Sequence, residues 1–247
     1  ALLTPQGKVL FDFLITPGPD GWLIEIDRTK AADFVKRLGL YKLRAKVTIV
    51  DLSADVAVFL AWGGEAPAIA GATAFVDPRV AALGTHLLVP TALADEIPPN
   101  AAPSEWHAVR IAAGVPESGL DFALGDVFPH DVDMDDLSGV DFKKGCFVGQ
   151  EVVSRMKHRG TARRRTILAH AREARPAWPD TGTEITCGDK VLGTLGSSHD
   201  ATALALVRLD RAKEALDSGD AIEAGGVTVT LDLPAFAHFD WPKDTAE

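Results

Sequence analysis

Cysteine is scarce: Cys146 and Cys187 are the only two thiols in 247 residues. Two thiolates cannot by themselves fill the four positions of a structural zinc or iron–sulfur site, so Cys146 needs other ligands if it binds metal. A reducing compartment disfavours a disulfide between the pair. Long apolar runs are missing too. No stretch approaches the roughly 18 residues of a membrane-spanning helix, and the opening ALLTPQGK lacks the basic, apolar and cleavage regions of a secretion signal. Positive charge is in deficit, with 25 Lys and Arg against 35 Asp and Glu and a formal charge of −10, which argues against a general nucleic-acid binder. What is present is an ordinary complement of hydrophobic (47%) and charged (24%) residues. Those proportions predict a soluble, intracellular globular protein of one large domain or two ordinary ones.

Charge is distributed unevenly. The stretch KKGCFVGQEVVSRMKHRGTARRR, 143–165, carries eight basic residues against Glu151 alone, a local balance of +7 that leaves −17 for the rest. It forms an anion-attracting patch or, more plainly, a solvated basic face on a strand or loop. Ahead of it ALL, TPQGK and VLFDFLI predict a β-hairpin turned by Pro5 and Gly7. GWLIEID reads as a strand, and Thr29 as the cap of a helix with Phe34, Val35 and Leu38 on one face and Gly39 as its stop. KVTIVDLS and VAVFLAW read as further strands, and SEWHAVRIAAGVP as a short helix ended by Gly114 and Pro116. After Arg165 the runs TILAHA, TEITC, KVLGTLGSS, ALALVRL and VTVTLDL, with one helix near Arg211–Leu216, predict a small β-barrel or sandwich that begins near 163–167.

Several sites suggest themselves. Asp131, Asp133 and Asp135 alternate like calcium-loop ligands, but Asp136 stands where the loop needs glycine and Phe142 where it needs glutamate. A solvated acidic loop or helix cap is the better expectation. Cys146 lies between Gly145 and Gly149, beside Lys144, with His130 and His158 near enough in sequence to act as a base. Positive neighbours favour a thiolate, and glycine lets backbone approach a ligand; the plain alternative is an inert, buried thiol. No Walker or dinucleotide pattern accompanies the glycines. Arg110 and Arg79 are candidate carboxylate clamps, or structural ion-pair partners.

KGCFVGQE, residues 144–151, resembles the K-G-C-[FY]-x-G-Q-E signature of the YgfZ family of folate-binding proteins, which includes the iron–sulfur assembly factor Iba57. LLTPQGKVLFDFLI, LYKLRAKVTIVDLS, DPRVAALG, RIAAGVP and FPHDVDMDDLSGVDF extend the likeness along the chain in the same order. The resemblance implies an α+β fold like the T-protein of the glycine cleavage system, with a ferredoxin-like element and a C-terminal β-barrel. Residues 1–164 are then a folate-binding region of two interleaved subdomains and 165–247 the barrel, with a further strand and helix expected ahead of residue 1. It also implies a tetrahydrofolate ligand, held by Arg110, Gly145, Gly149, Gln150, Glu151 and Arg155. Cys146 is implied as the functional thiol, assisted by Lys144 and able to serve as a transient iron–sulfur ligand. The function implied is assembly or repair of iron–sulfur clusters, mainly [4Fe–4S], in client enzymes that include tRNA-modifying ones. The partners expected are assembly proteins and those clients, with no direct DNA and no membrane. The expected location is a bacterial cytoplasm, or the mitochondrial matrix in a eukaryote. Ala112 replaces the pterin-holding glutamate of the aminomethyltransferases, which weighs against the alternative of a one-carbon transferase. A non-catalytic folate sensor or scaffold is the other alternative.

Overall fold

The computed structural model describes residues 1–160, 162–174 and 176–242. Along the chain, β1 (Leu2–Leu3) and β2 (Val9–Phe11) form the first hairpin, and β3 (Leu14–Gly18) and β4 (Gly21–Glu25) the second. Helix α1 (Arg28–Lys42) follows, then β5 (Val56–Ala61), β6 (Thr73–Val76), β7 (Thr85–Pro90) and the short helix α2 (Thr91–Ala94). Next come α3 (Pro103–Ala112), α4 (Gln150–Arg159), β8 (Arg164–Ala171), β9 (Glu184–Cys187), β10 (Lys190–His199) and β11 (Thr202–Arg208). Helix α5 (Leu209–Ser218) and strands β12 (Ile222–Ala224) and β13 (Val227–Asp232) complete the order.

The chain divides into two compact units. One is built from Phe11–Asp77 and Gly84–Ala102, the other from Leu2–Leu10, Pro78–Leu83 and the described residues from Pro103 on. In the first, β5, β7 and β6 make an antiparallel sheet, and α1 buries Ala31 and Phe34. The rings of Phe11 and Phe13 pack on Phe34 at 5.3 and 5.0 Å. Two local expectations change here. Asp27 rather than Thr29 caps α1, its carboxylate accepting from the Thr29 amide, and the helix runs through Gly39 to Lys42. KVTIVDLS forms no strand, and Val47 and Val50 are exposed. β-branched residues suit a strand only where a neighbouring strand supplies hydrogen bonds, and none is paired with this segment among the described residues.

In the second unit six strands close into a barrel in the order β10-β11-β8-β13-β12-β9. The barrel is the outcome between the two β architectures expected, with β12 added to the strands legible in the sequence. Ile167, Ala169, Ile185, Leu192, Ala205 and Val207 fill it, and α5 packs Leu209, Ala212 and Ala215 against it. Gly193 is required by close packing, since a Cβ there would meet the Leu206 carbonyl oxygen at 2.1 Å. The last residues of the expected barrel range, 243–247, lie outside the described residues. A second core gathers Leu3, Val9, Phe122, Val127, Val132 and Val153. It sets the first hairpin beneath α4, and so fixes the place of the cysteine segment.

Candidate functional site: an exposed thiol beside a buried charge cluster

The basic run is not the strand or loop expected of it. Its middle is α4, begun by Gly149 with a left-handed φ of 80° and ended by Gly160 at φ 59°. The Gln150 side chain accepts the Phe147 amide at 3.1 Å while its own amide donates to the Phe147 carbonyl, which ties the preceding turn to the first residue of the helix. Val153 is fully buried in the second core, while Glu151 and Arg155 face solvent and pair at 2.8 Å across one helical turn. Gly149 is needed for packing: a Cβ would lie 2.6 Å from the Thr4 carbonyl oxygen and 2.8 Å from the Gly7 Cα. Gly145, at φ 93°, has open space around it and is needed only for its backbone conformation.

Cys146 projects from this turn and is exposed, which sets aside the buried, inert alternative. No hydrogen bond or ion pair joins it to Lys144, His130 or His158 among the described residues. Lys144 instead lies over the Phe147 ring at 5.6 Å, and His130 is completely buried. The histidine–thiol dyad is therefore not formed. Nor does any described cluster of His, Cys, Asp and Glu have the arrangement to hold a metal ion. The chemistry left to Cys146 is that of an accessible sulfur whose further ligands or reaction partners come from another molecule.

Arg110 is placed differently from a ligand clamp. It is 1% exposed, and its guanidinium reaches Glu117 at 3.0 Å, Asp121 at 2.7 Å, the Val115 carbonyl at 3.1 Å and Ser197 at 2.9 Å. Asp121 also accepts the Ser197 amide, so the arginine staples α3 to β10. Ala112 is exposed at the end of α3.

The acidic loop is neither a calcium loop nor solvated. Asp131 and Asp133 are 3% and 0% exposed, and Asp133 holds a left-handed φ of 56° at the end of the turn Pro129–Val132. Arg165, in the same row of β8 as the barrel-filling Ile167 and Ala169, is the counter-ion. Its Nη1 donates to the His130 carbonyl at 3.0 Å, to Asp133 at 3.3 Å and to Asp135 at 2.6 Å, and Nη2 donates to Asp135 at 3.1 Å. Burial opposes ionisation of Asp135, but the Arg165 hydrogen bonds and charge prevail and hold its carboxyl below the usual range. Burial outweighs the pull of Arg165 and, with added repulsion from Asp135, pushes Asp133 well above it. Burial also lowers the His130 pKa, so the ring is neutral. Sequence reasoning missed this cluster; the available signal was an alternating run of aspartates, too apolar in its flanks to be a solvated loop, followed by a surplus of arginines.

The comparisons with known proteins fit this architecture. Residues 163–239 match the family described as CAF17, C-terminal beta-barrel domain. The iron-sulfur cluster assembly factor IBA57 homologue, mitochondrial, of Mycosarcoma maydis is 35% identical over 176 residues, 67% of this chain and 44% of that protein. The homologue of Neurospora crassa is 33% identical over 208 residues, covering 73% and 47%. The human factor is 28% identical over 259 residues, covering 97% and 71%. The chain belongs to the Iba57-like family of T-protein-fold proteins. It spans about half the length of the fungal relatives. The fold assignment has structural support: the glycine cleavage system aminomethyltransferase T from Bartonella henselae superposes with a TM-score of 0.69 over 98% of this chain and 76% of that one, at 13% identity. An Iba57-like chain thus shares its backbone with an aminomethyltransferase while differing in the residues that fill it.

Proposed function

We propose that the chain acts in the assembly or repair of iron–sulfur clusters, with Cys146 as the thiol that meets the cluster. The observation that carries this reading is the exposure of Cys146 on a glycine turn just ahead of α4. The named activity of the Iba57 relatives supports it. A cluster is cargo in this scheme. One protein thiolate can supply one of its four customary cysteine ligands, and the rest come from a carrier, a client or a small thiol. Ligation through a single sulfur is weak, which suits passing a cluster on. The clients in view are [4Fe–4S] enzymes, tRNA-modifying ones among them, in a bacterial cytoplasm or, in a eukaryote, the mitochondrial matrix.

Tetrahydrofolate remains the proposed small-molecule ligand, with fewer contacts than the resemblance implies. Arg110 and Gly149 do not fit that role, because one is committed to internal ion pairs and the other to backbone packing. Lys144 and Arg155 are exposed and able to meet an anionic tail.

The test is [4Fe–4S] enzyme activity in cells lacking this protein, restored with the wild type or Cys146→Ala at matched expression. Rescue by the wild type alone is expected, and equal rescue by both would remove the thiol from the function.

A further inference from the structure

The orphaned atoms of the charge cluster lie beside a cleft. His130 is 0% exposed, yet neither Nδ1 nor Nε2 has a hydrogen-bond partner, and the same holds for Arg165 Nε. Leaving several buried polar atoms unsatisfied in one place is uncommon in folded proteins, and each such group costs stability. Both residues line a cleft of about 500 Å³ within the second unit. Lys157 and Arg163 stand on its rim. Lys157 is 44% exposed and only 3.5 Å from buried Asp135, while the exposed side chain of Arg163 makes no described hydrogen bond or ion pair and acts on Asp210 only through its charge. The Phe239 ring covers the Arg165 guanidinium at 4.3 Å and forms part of the wall. His238, its neighbour, is fixed by donating its amide to Asp136 at 2.7 Å.

We propose that this cleft binds a small oxyanion-bearing ligand, a phosphate or carboxylate group, whose oxygens complete His130 and Arg165 at the floor and meet Lys157 and Arg163 at the rim. The donor set selects the charge. Arg165 Nε–H, the Lys157 ammonium and the Arg163 guanidinium can only donate, and neutral His130 adds one N–H. Two of the carboxylates nearby are paired with arginine, Asp135 with Arg165 and Asp210, on the same cleft, with Arg208 at 2.6 Å. Asp240, also in the lining, accepts the Trp241 amide, and Asp133, whose Oδ2 is a further orphaned atom, is held by Arg165 through Oδ1. Size agrees, since a cleft of this volume accommodates a small molecule rather than a bare ion. Its position ties the ligand to the thiol segment. Phe142 packs 6.1 Å from the His130 ring and 5.5 Å from Lys157 Nζ, and Cys146 follows it after Lys143, Lys144 and Gly145. That length of chain spans at most about 14 Å. The inference stands on the orphaned atoms and goes beyond the iron–sulfur reading, so either can fail alone.

The experiment is nitrogen-detected NMR of the histidine side chains in the intact protein, titrated with inorganic phosphate and, separately, with glutarate. His130 is assigned by through-bond correlation to its own backbone. A saturable shift of its ring nitrogens is expected with at least one probe, and the probe that gives it identifies the source of the oxyanion. Arg163→Ala and Lys157→Ala, both on exposed side chains that leave the fold intact, are each expected to raise the dissociation constant about 10-fold, in line with loss of one charge-assisted contact. No shift at His130 with either probe, or unchanged affinity in both variants at an unchanged Tm, overturns the proposal. Cys146→Ala is expected to bind the probes like wild type. That result separates this site from the cluster chemistry.

Discussion

At the scale of single residues, the signature segment divides its glycines between two physical tasks. Gly149 both holds a left-handed φ and makes backbone contact with the turn of the first hairpin, where no side chain fits. Gly145 needs only the conformation. Gly149→Ala is therefore expected to destabilise the protein by about 3 kcal/mol or more, through strain and displacement of the Thr4–Gly7 turn, whereas Gly145→Ala costs about 1 kcal/mol. Urea unfolding of the two variants checks the order, and equal losses would remove the packing argument. The cysteine was legible in the sequence because scarcity, glycine flanks and local charge coincided. Its lack of an internal base was not legible, because whether His130 reaches it depends on burial. Arg110 shows the same limit: an arginine that clamps a ligand and one that staples a helix to a strand look alike until Glu117, Asp121 and Ser197 are seen around it.

At the scale of elements, the barrel strands could be read because each carries its own period and turn signals. KVTIVDLS could not be read correctly, because its strand propensity is realised only against a partner. The acidic loop and β8 form an element pair joined through charge: Arg165 and Thr166 together hold the turn, the threonine hydroxyl donating to the Asp131 carbonyl at 3.1 Å. Asp135→Asn leaves the Arg165 guanidinium buried without its main counter-ion, and about 3–5 kcal/mol of stability is expected to go with it. The wild type should show the linkage directly. Because the Asp135 pKa is depressed on folding, its contribution is present above the unfolded value of 3.8 and is lost as pH falls through the folded one. Asp133, shifted the other way in part by Asp135 itself, acts in the opposite sense, so the comparison of wild type with Asp135→Asn reads the Asp135 carboxylate together with its repulsion of Asp133. Their difference in unfolding free energy is expected to shrink below pH 4; a difference constant from pH 7 to pH 3 would count against the pair as drawn.

At the scale of the whole molecule, the two units carry their buried charge with opposite sensitivities. The first unit places His86 of β7, 2% exposed, between two carboxylates. Its Nδ1–H donates to Glu25 at 2.8 Å and its Nε2–H to Asp77 at 2.9 Å, and the ring stacks on Phe75 at 5.0 Å. Burial opposes the charge on the imidazolium, but the Asp77 and Glu25 hydrogen bonds and charges outweigh it and raise the pKa from 6.5 to about 9. A group whose pKa rises on folding stabilises fully below its unfolded value, less between the two values, and no longer once pH passes the folded one. The shift corresponds to on the order of 3 kcal/mol, all present at pH 6 and lost by about pH 10. The Arg165 guanidinium of the second unit keeps its charge through that range, since burial is outweighed there by Asp135 and its pKa is raised. Alkaline opening is thus expected to begin in the first unit. Amide hydrogen exchange, corrected for intrinsic rates, should show protection in β5, β6 and β7 falling between pH 7 and pH 9.5 while the barrel strands hold. In His86→Gln, which cannot carry the charge, the first unit should be weaker at pH 6 and its protection flat with pH. If both units lost protection in step, or if the variant kept the wild-type slope, the alkaline sensitivity would belong to other groups than His86.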